Sequence, residues 1–557
     1  MESKSWKRLP HSSDVKPTVL AIAVSVMALL LMAVLFGARW TPSRHGDTFV
    51  SAGVRVVVTA VSDQGPARPT ATVPEPGDRL LGGLLSPDFD DGSCLSRYRA
   101  ALYRRQSLHI LSSHLVSSLR RYESLHRLCG PGTSAYARAV ARLRESMWPS
   151  SSSNTSDSAP SECKYLIWSP LEGLGNRILS IASAFLYALL TDRVLLLHPH
   201  GDDLGDLFCE PFPGSTWVLP EKDFPIGSID HFNVVGTKES LGNTLGRRGE
   251  QGAPAPVPWM YVHLMHDYKD RLDRRFFCDD GQDALRGVPW LVLRSDNYFV
   301  PGLFLVRRLE PELTRLFPRR DAAFHHLGRY LIHPSNAVWG MVSRYHGSYL
   351  AAAEDRVGIQ VRDFYWAPIS RHDRYAQIAS CAHRENILPT VLANSTAAPA
   401  SSAAGRRKAV LVVSLHGVYY EKIRDIYYEH GAAGGEAVSV FQPTHLGGQY
   451  SGERQHNQKA LAEIVLLSFS DVVITSAVST FGYVSQGLAG LRPWVLMGPV
   501  GGKTPDPPCR LAATIEPCFH TPPNYDCPAR TGGDSGRMVR HVRRCEDFPE
   551  GVQLVEY

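Results

Sequence analysis

The stretch KYLIWSPLEGLGNRILSIASAFLYALLTDRVLLL, residues 164–197, decides the fold class. It begins with a short apolar run of strand type at 164–168, followed by a glycine-containing turn. ILSIASAFLYALLT at 178–191 has the length and apolar content of a buried helix, and RVLLL at 193–197 is strand-like again. Strand, helix and strand in this order form a βαβ unit, which predicts a parallel sheet.

The same alternation continues through the rest of the chain. Further strand patterns are VPWLVLR (288–294), VGIQVR (357–362), KAVLVVS (408–414), AVSVF (437–441), DVVITS (471–476) and PWVLM (493–497), and HNQKALAEIVLLSFS (456–470) is a helix pattern. We therefore predict an α/β chain with two doubly wound, Rossmann-like domains. Residues 242–257 are predicted to form a loop, and 394–408 an insert between elements.

Composition excludes several classes of protein. The chain has 557 residues, of which 44% are hydrophobic and 20% charged, so it is neither disordered nor collagen-like. Its 59 Lys and Arg residues against 54 Asp and Glu give a net charge of only +5. Without a dominant basic block or zinc-finger spacing, the sequence does not predict nucleic-acid binding.

Residues 18–38, TVLAIAVSVMALLLMAVLFGA, contain no charge and are long enough to span a bilayer. A signal peptide is the alternative, but the sequence after the span lacks a small-residue cleavage site. Lys4, Lys7, Arg8 and Lys16 precede the span, which predicts a cytosolic N-terminus and a translocated remainder. The sequence thus predicts a single-pass type II membrane protein.

These features divide the chain into seven predicted segments. They are a cytosolic tail (1–17), a transmembrane anchor (18–38), a flexible stem (39–80), a helical lead-in with a Ser-rich linker (81–162), two Rossmann-like domains (163–340 and 341–500) and a Cys- and Pro-rich tail (501–557). In the lead-in, apolar residues at three- and four-residue spacing predict helix over 95–129.

All ten cysteines follow the predicted anchor, and their even number in an oxidising compartment predicts disulfides. Their pairing does not follow from the sequence. Asn154 and Asn394 each begin an Asn-x-Ser/Thr signal, so both are predicted glycosylation sites.

Candidate binding residues follow the predicted strands, because ligands of parallel sheets bind beyond the carboxyl ends of the strands. Gly173, Gly175, Asn176 and Arg177 form a turn that opens a helix, where an anion is favoured. A plain strand–helix turn is the alternative. Arg362 ends a buried strand and suits bidentate phosphate recognition, or else forms a structural salt bridge with Asp363 or another carboxylate.

A second helix start carries hydroxyl groups and backbone N–H groups that suit a phosphate. It consists of Ser479, Thr480, Phe481, Gly482 and Tyr483. Helix capping by Ser479 or Thr480 is compatible with that role.

Three further positions complete the candidates. Asp296 follows a strand and is a candidate general base or a capping residue. His456 and Asn457 precede a helix and either contact a nucleotide or sugar or cap that helix. No Asp-x-Asp pair follows a strand, so we expect no metal or other cofactor, and a diphosphate leaving group would then need Arg362 and helix dipoles.

Taken together, these segments resemble the plant xyloglucan galactoside 2-alpha-L-fucosyltransferase family, glycosyltransferase family 37. The resemblance covers about residues 85–550. Matching stretches include GLGNRILSIASAFLYALLTDRVLLL, VPWLVLRSDNYFVPGLF, HNQKALAEIVLLSFSD and TSAVSTFGYVSQGLAGLRPWVL.

The resemblance implies a Golgi type II membrane enzyme with a GT-B-like fold and a luminal catalytic region. It implies metal-independent, inverting transfer of L-fucose from GDP-fucose to O2 of a terminal galactose on a galactosylated cell-wall polysaccharide. Residues 163–340 would be the acceptor side and 341–500 the donor side, with Arg362 facing the donor diphosphate. Arg362 and Asp296 are the predicted catalytic residues; for Asp296, which would accept the acceptor proton or orient that hydroxyl, the prediction rests on its position after a strand. The other residues expected at the donor are Gly173, Gly175, Asn176, Arg177, His456, Asn457, Ser479, Thr480, Phe481, Gly482 and Tyr483.

Three alternatives stay open at this point. The acceptor is a xyloglucan side chain or an arabinogalactan protein glycan, or the chain is a catalytically silent, membrane-tethered glycan-binding relative. The sequence also leaves a homodimer as an open alternative.

Overall fold

The computed structural model describes residues 50–51, 54–55, 78–149, 163–199, 204–222, 224–233, 236–251, 257–266, 273–392, 406–523, 527 and 540–556. The chain divides into two compact units between Val73 and Pro74. In the first unit, the described residues form two short antiparallel strands, β1 (Val50–Ser51) and β2 (Val54–Arg55).

Several sequence-based predictions fall outside the described residues. These are the cytosolic tail at 1–17, the anchor at 18–38, most of the stem at 39–80, the Ser-rich linker, most of the insert at 394–408, and the glycosylation sites Asn154 and Asn394. In the described part, no helix has both the length and the apolar content needed to cross a membrane. The boundaries at 163, 341 and 501 stay predictions, because the second unit is not divided further.

The first sheet of the second unit has four parallel strands. They are β3 (Lys164–Ser169), β4 (Arg193–Leu197), β5 (Trp259–Leu264) and β6 (Trp290–Ser295). Their order across the sheet is β4-β3-β6-β5, with Tyr165 opposite both Val194 and Trp290. The sequence analysis predicted β3, β4 and β6 but not β5, in which His263 interrupts the apolar run.

The second sheet has six strands. They are β7 (Asp355–Val361), β8 (Arg407–Ser414), β9 (Ala437–Phe441), β10 (Val472–Ser476), β11 (Trp494–Leu496) and β12 (Cys509–Leu511). Their order is β12-β11-β10-β7-β8-β9, and all neighbours are parallel except β12, which is antiparallel to β11. The prediction of two sheets built from parallel strands is confirmed for all strands but β12, which the sequence analysis did not predict. The C-terminal segment also adds β13 (Val542–Arg544) and β14 (Val552–Leu554), an antiparallel pair.

Helices surround and separate the sheets. In the first half they are α1 (Leu95–Arg99), α2 (Ser113–Cys129), α3 (Ser134–Met147), α4 (Leu174–Leu190), α5 (Leu204–Leu207), α6 (Leu241–Gln251), α7 (Asp279–Arg286), α8 (Val300–Leu303) and α9 (Glu310–Leu316). In the second half they are α10 (Ala323–Leu331), α11 (Asn336–Tyr345), α12 (Arg371–Arg384), α13 (Val418–Glu429), α14 (Arg454–Leu467) and α15 (Thr480–Ala489).

Two local predictions were wrong. The helix predicted over 95–129 is interrupted after the 3₁₀ turn Ala100–Leu102, and α2 starts anew where Ser112 caps it by accepting from the Leu115 N–H. The loop predicted at 242–257 is instead largely helix α6. Its glycines each cost about 1 kcal/mol, but Leu241 is fully buried in the core and Ser240 accepts from the Asn243 N–H at the helix start.

The two sheets share one hydrophobic core. A single cluster of buried residues runs from Leu166 in β3, through Phe185 in α4 and Val484 in α15, to Leu411 in β8. Helices α4 and α15 pack in this core, and a hydrogen bond between Asn176 and Thr480 joins their first turns.

The prediction of disulfides is confirmed, because all ten cysteines are paired. The pairs are Cys94–Cys209, Cys129–Cys163, Cys278–Cys527, Cys381–Cys509 and Cys518–Cys545. Two of these pairs join the C-terminal segment to earlier parts of the chain, so that segment is fixed covalently against both halves.

Candidate active site

Each sheet has one point at which its strand order reverses. In the first sheet this point lies between β3 and β6, and in the second between β7 and β10. Ligands of open parallel sheets bind outside the carboxyl ends of the strands at such points. The strand ends here lead to Gly173, Asp296, Arg362 and Ser479, which are four of the predicted site positions.

A cleft of about 420 Å³ opens at these strand ends. Of the predicted residues, Gly173, Gly175, Asn176, Arg362, His456, Asn457, Ser479, Thr480 and Phe481 line it. Arg177, Gly482, Tyr483 and Asp296 are not among its lining residues. The structure thus brings most of the predicted donor residues into one cleft between the two sheets.

Two strand-to-helix turns of similar build face the cleft. In the first, Glu172 has a φ of 65° directly before Gly173, the N-cap of α4. In the second, Val478 has a φ of 63° directly before Ser479, the N-cap of α15. A positive φ is costly for a β-branched residue and is found mainly where function requires it. Both turns present helix N-termini, and hence backbone N–H groups, to the cleft.

The Val478 turn is held from behind by Asp547. Its Oδ2 accepts a hydrogen bond of 2.8 Å from the Val478 N–H and one of 2.6 Å from the Tyr483 hydroxyl. Tyr483 is buried, and burial together with the Asp547 charge raises its pKa well above the usual range, so it acts as a donor. Tyr483 therefore stabilises the second turn rather than contacting a ligand in the cleft.

Arg177 and Gly482, which also do not line the cleft, support the elements around it. Arg177 turns back and donates from Nε to the Glu172 carbonyl at 2.8 Å, which supports the first turn. At Gly482 a Cβ atom would lie 1.9 Å from Thr475 Oγ1, so only glycine lets α15 approach β10.

The two helix N-termini touch each other directly. Thr480 Oγ1 donates to Asn176 Oδ1 at 2.8 Å, and Asn176 Nδ2 donates to the Asp296 carbonyl at 3.2 Å. At Gly175 a Cβ atom would lie 2.7 Å from Thr480 Oγ1 and 2.9 Å from the Phe481 nitrogen. Glycine at this position therefore permits the contact between the helices.

Arg362 directly follows β7, and it lines the cleft. Its backbone N–H donates to Ser476 Oγ at 2.9 Å, which ties it to β10, and its Nη2 donates to Gln449 Oε1 at 2.9 Å. Within the described part of the chain it makes no ion pair. The Tyr419 hydroxyl donates to the Asp363 carboxylate and lies 2.9 and 2.8 Å from its two oxygens. Burial lowers the pKa of Arg362, opposed by the Asp363 charge. A half-buried guanidinium in this setting favours an anionic ligand.

The opposite wall carries a buried carboxyl group. Glu463 lines the cleft from α14 and accepts a hydrogen bond of 2.6 Å from Thr444 Oγ1. Burial raises its pKa to about 7, against the lowering effect of the Thr444 hydrogen bonds. Nearby, Asn457 is buried and donates from Nδ2 to the Ser451 carbonyl at 2.7 Å.

Asp296 lies beside the cleft but is buried, with 4% of its surface exposed. Its Oδ1 accepts from the His266 N–H at 3.1 Å and from Asn297 Nδ2 at 2.7 Å, and its Oδ2 pairs with His266 Nδ1. The His266 side chain is 58% exposed. Both oxygens of the Asp296 carboxylate thus accept hydrogen bonds, and the imidazole bound to it is largely exposed; the general-base role of Asp296 stays a prediction.

His520 connects Asp296 to the cleft. It lines the cleft and is half-buried, and burial lowers its pKa against the opposing charges of Asp547 and Asp296. The charge of the Asp296 carboxylate therefore acts on His520, which is part of the cleft wall.

The described residues contain one group of three potential metal ligands, Cys518, Cys545 and Asp547. The two cysteines are joined in a disulfide, so they offer no thiolate to an ion.

Sequence reasoning missed five residues that shape this site: His266, Gln449, Glu463, His520 and Asp547. Glu463 is a buried acidic residue in a helix that was predicted, and an acidic residue in that largely apolar helix was the available signal. The other four lie in segments without periodicity, and their roles arise from contacts between residues far apart in the chain.

Comparison with known proteins identifies the family of this chain. The family model described as xyloglucan fucosyltransferase matches residues 51–528. A galactoside 2-alpha-L-fucosyltransferase from Pisum sativum is 47% identical over 86% of this chain and 82% of its own length, and one from Arabidopsis thaliana is 47% identical over 86% and 83%. The solved structure of a mutant of Arabidopsis thaliana FUT1 in complex with GDP is 46% identical and superposes with a TM-score of 0.76, over 86% of this chain and all of that chain. The chain therefore belongs to the xyloglucan fucosyltransferase family.

Proposed function

We propose that this chain transfers L-fucose from GDP-fucose to O2 of a terminal galactose on a plant cell-wall glycan, with a xyloglucan side chain as acceptor. The transfer is a metal-independent displacement with inversion at the anomeric carbon. Two relatives at 47% identity carry the name galactoside 2-alpha-L-fucosyltransferase, and a structure at 46% identity contains GDP.

The observation that carries the proposal is the position of Arg362 between two helix N-termini at the reversal points of both sheets. The diphosphate of the donor is a dianion, and helix N-termini favour anions through their N–H groups and dipoles. The planar guanidinium adds paired hydrogen bonds. As the bond to fucose breaks, negative charge grows on the leaving phosphate, and these fixed donors stabilise it without a metal ion.

Glu463 explains why the cleft would bind a guanine base in preference to adenine. The Watson–Crick edge of guanine offers two neighbouring donors, N1–H and the N2 amino group, and an ionised carboxylate offers two matching acceptors. Adenine presents an acceptor at N1, which a carboxylate repels. We therefore assign Glu463 to the guanine edge, with Thr444 fixing its orientation.

On the acceptor side, we assign proton acceptance to His266. In the displacement, the galactose O2 forms a bond to the anomeric carbon while the bond from that carbon to the diphosphate breaks, and the O2 proton passes to His266 Nε2. Asp296 acts through His266: it accepts from Nδ1, fixes the tautomer in which Nε2 is basic, and balances the imidazolium that forms.

We further propose that residues 18–38 anchor the chain in the Golgi membrane with the catalytic region in the lumen. Five disulfides support an oxidising compartment.

The test is GDP release by the full-length chain in detergent, with GDP-fucose and EDTA, comparing galactosylated xyloglucan with arabinogalactan. Release that depends on xyloglucan and persists in EDTA supports the proposal. A preference for arabinogalactan would replace the acceptor, release abolished by EDTA would overturn metal independence, and failure to bind GDP would leave a silent glycan-binding relative.

A further inference from the structure

A second, very small cavity lies away from the cleft, among α1, the segment that follows it, α10 and α11. Its volume is about 10 Å³. The polar side chains that line it are Ser96, Arg97, Arg104, Arg329 and His333, and the rest of its wall is apolar. In the described part of the chain, no carboxylate lines this cavity.

The three guanidinium groups converge on one place. Each of them lowers the pKa of His333, which burial already holds well below its usual range, so all three lie near this imidazole. Arg97 and Arg329 are 3% and 6% exposed. Burial lowers the pKa of Arg97 and of Arg329 to about 10, and burial together with the Arg329 charge lowers that of Arg104 to about 9.

Their hydrogen bonds leave several buried N–H groups unused. Arg97 donates from Nη2 to the Glu210 carbonyl and stacks on Phe89, and Arg329 donates from Nη1 to His325 Nε2 at 3.2 Å. Arg97 Nη1, Arg104 Nε and Arg329 Nε are buried without a hydrogen-bond partner. Buried donors of this kind are costly unless they find an acceptor.

The nearest acidic groups are committed elsewhere. Glu210 acts on Arg97 through its charge, but its oxygens accept from Thr216 Oγ1 and the Trp217 N–H. Glu123, which also acts on Arg97, pairs with Arg120 and accepts from the Tyr330 hydroxyl.

On the α10 side, Asp78 is the acidic group whose charge acts on Arg329. Its two carboxylate oxygens accept from the Gly82 N–H. The neighbouring imidazoles add no positive charge, because burial keeps the pKa values of His325, His326 and His333 below their usual range. The positive charge at the cavity therefore comes from the three guanidinium groups, which repel one another. The acidic groups act on them only at a distance.

We propose that this cavity binds a monatomic anion of chloride size, held jointly by Arg97, Arg104 and Arg329. The volume of about 10 Å³ leaves room for about one water-sized sphere, so a chloride ion, which is somewhat larger than a water molecule, requires a small outward shift of the guanidinium side chains. Phosphate and sulfate, with five heavy atoms, do not fit. A water molecule fits by size and accepts the same hydrogen bonds, but only an anion reduces the repulsion among three like charges.

The site has a structural consequence. Arg97 and Arg104 belong to the segment 95–104 of the lead-in, whereas Arg329 belongs to α10 in the middle of the chain. An anion between them joins two distant parts of the second unit. Chloride therefore stabilises the folded chain by binding to it and not to the unfolded chain.

The test compares thermal unfolding of the full-length chain in about 150 mM sodium chloride or bromide with unfolding in sodium gluconate at the same ionic strength. We expect both halides to raise Tm by about 2–4 °C, saturating with concentration. Crystals soaked in bromide should show an anomalous peak among the three guanidinium groups. Equal Tm values in all three salts, or a water without anomalous signal in the cavity, would overturn the proposal.

Arg104→Gln separates anion binding from a purely structural role. We expect this variant to lose the halide-dependent rise in Tm, yet to be no less stable than the parent chain in gluconate, because one of three like charges is gone. The matched control is Arg99→Gln, an exposed arginine of the same lead-in segment, which should keep the full halide effect. Equal destabilisation of Arg104→Gln in every salt would point to a packing role, and if the variant does not fold, the bromide crystals decide.

Discussion

Asn176 and Thr480 are joined by a hydrogen bond of 2.8 Å, although 304 residues separate them in the chain. The other end of the Asn176 amide reaches the Asp296 carbonyl. One side chain therefore links the turn after β3, the end of β6 and the start of α15. The helix N-termini proposed to hold the diphosphate and the residues proposed to handle the acceptor are consequently fixed relative to each other, as in-line displacement requires.

Gly175→Ala tests this contact. The added Cβ would lie 2.7 Å from Thr480 Oγ1 and 2.9 Å from the Phe481 backbone nitrogen, so the two helix N-termini must move apart. We expect kcat/KM for transfer to fall by about 10–100-fold and stability to fall by about 1–3 kcal/mol. The matched control is Gly347→Ala, in a helical turn where a Cβ meets nothing within 4 Å. Equal kinetics for both variants would contradict the role given to the close approach.

Arg362→Lys tests the diphosphate assignment. A lysine keeps the charge but loses the planar fork, so we expect kcat to fall by about 10²–10³-fold while the fold is retained. Steady-state GDP release measures this loss. Arg424→Lys, an exposed arginine paired with Asp425, is the control and should be indistinguishable from the parent. Near-normal turnover in Arg362→Lys would remove Arg362 from the catalytic step.

The strand ends and helix starts of this site could be predicted because they depend on local patterns. The apolar runs before Arg362 and Ser479 and the glycine turn at Gly173 placed these residues correctly at carboxyl ends of parallel strands. The sheet geometry then brings them together without further information.

What could not be predicted depends on distant contacts. The positive φ at Val478 is held by Asp547, 69 residues later, and nothing near a valine indicates such a conformation. The pairing of Asp296 with His266 follows from the adjacency of β5 and β6, and β5 gave no periodic signal. The proposal of His266 as proton acceptor therefore depends on the order of the strands, which the sequence did not give.

Asp296→Asn tests whether Asp296 acts through His266. The amide oxygen can keep the hydrogen bonds that Oδ1 accepts, so the fold should be preserved, but the amide nitrogen would face His266 Nδ1 as a donor. The proton of the imidazole would then move to Nε2, which could no longer accept one. We expect transfer kcat to fall by about 10²–10⁴-fold with the affinity for GDP unchanged.

His266→Gln should reproduce that loss of transfer, again with normal GDP binding by calorimetry. His231→Gln, at an exposed histidine, serves as the control. If Asp296→Asn is impaired while His266→Gln turns over normally, Asp296 acts without the imidazole, and the assignment of His266 fails.

The raised pKa of Glu463 predicts that both the stability of the fold and the affinity for GDP depend on pH. Burial raises its pKa from 4.5 to about 7, so between these values the folded chain holds a proton that the unfolded chain has lost. The contribution of this group to stability therefore falls as pH rises through that range, by up to about 3 kcal/mol. Glu463→Gln should be more stable than the parent at about pH 8 and similar at about pH 5 in urea denaturation.

The affinity for GDP should change with pH in the opposite direction. In the parent, GDP affinity should rise with pH as the carboxylate forms, and at about pH 8 it should be about 10–100-fold weaker in Glu463→Gln. GDP binding that is equally tight in both chains, or independent of pH in the parent, would show that guanine is recognised elsewhere.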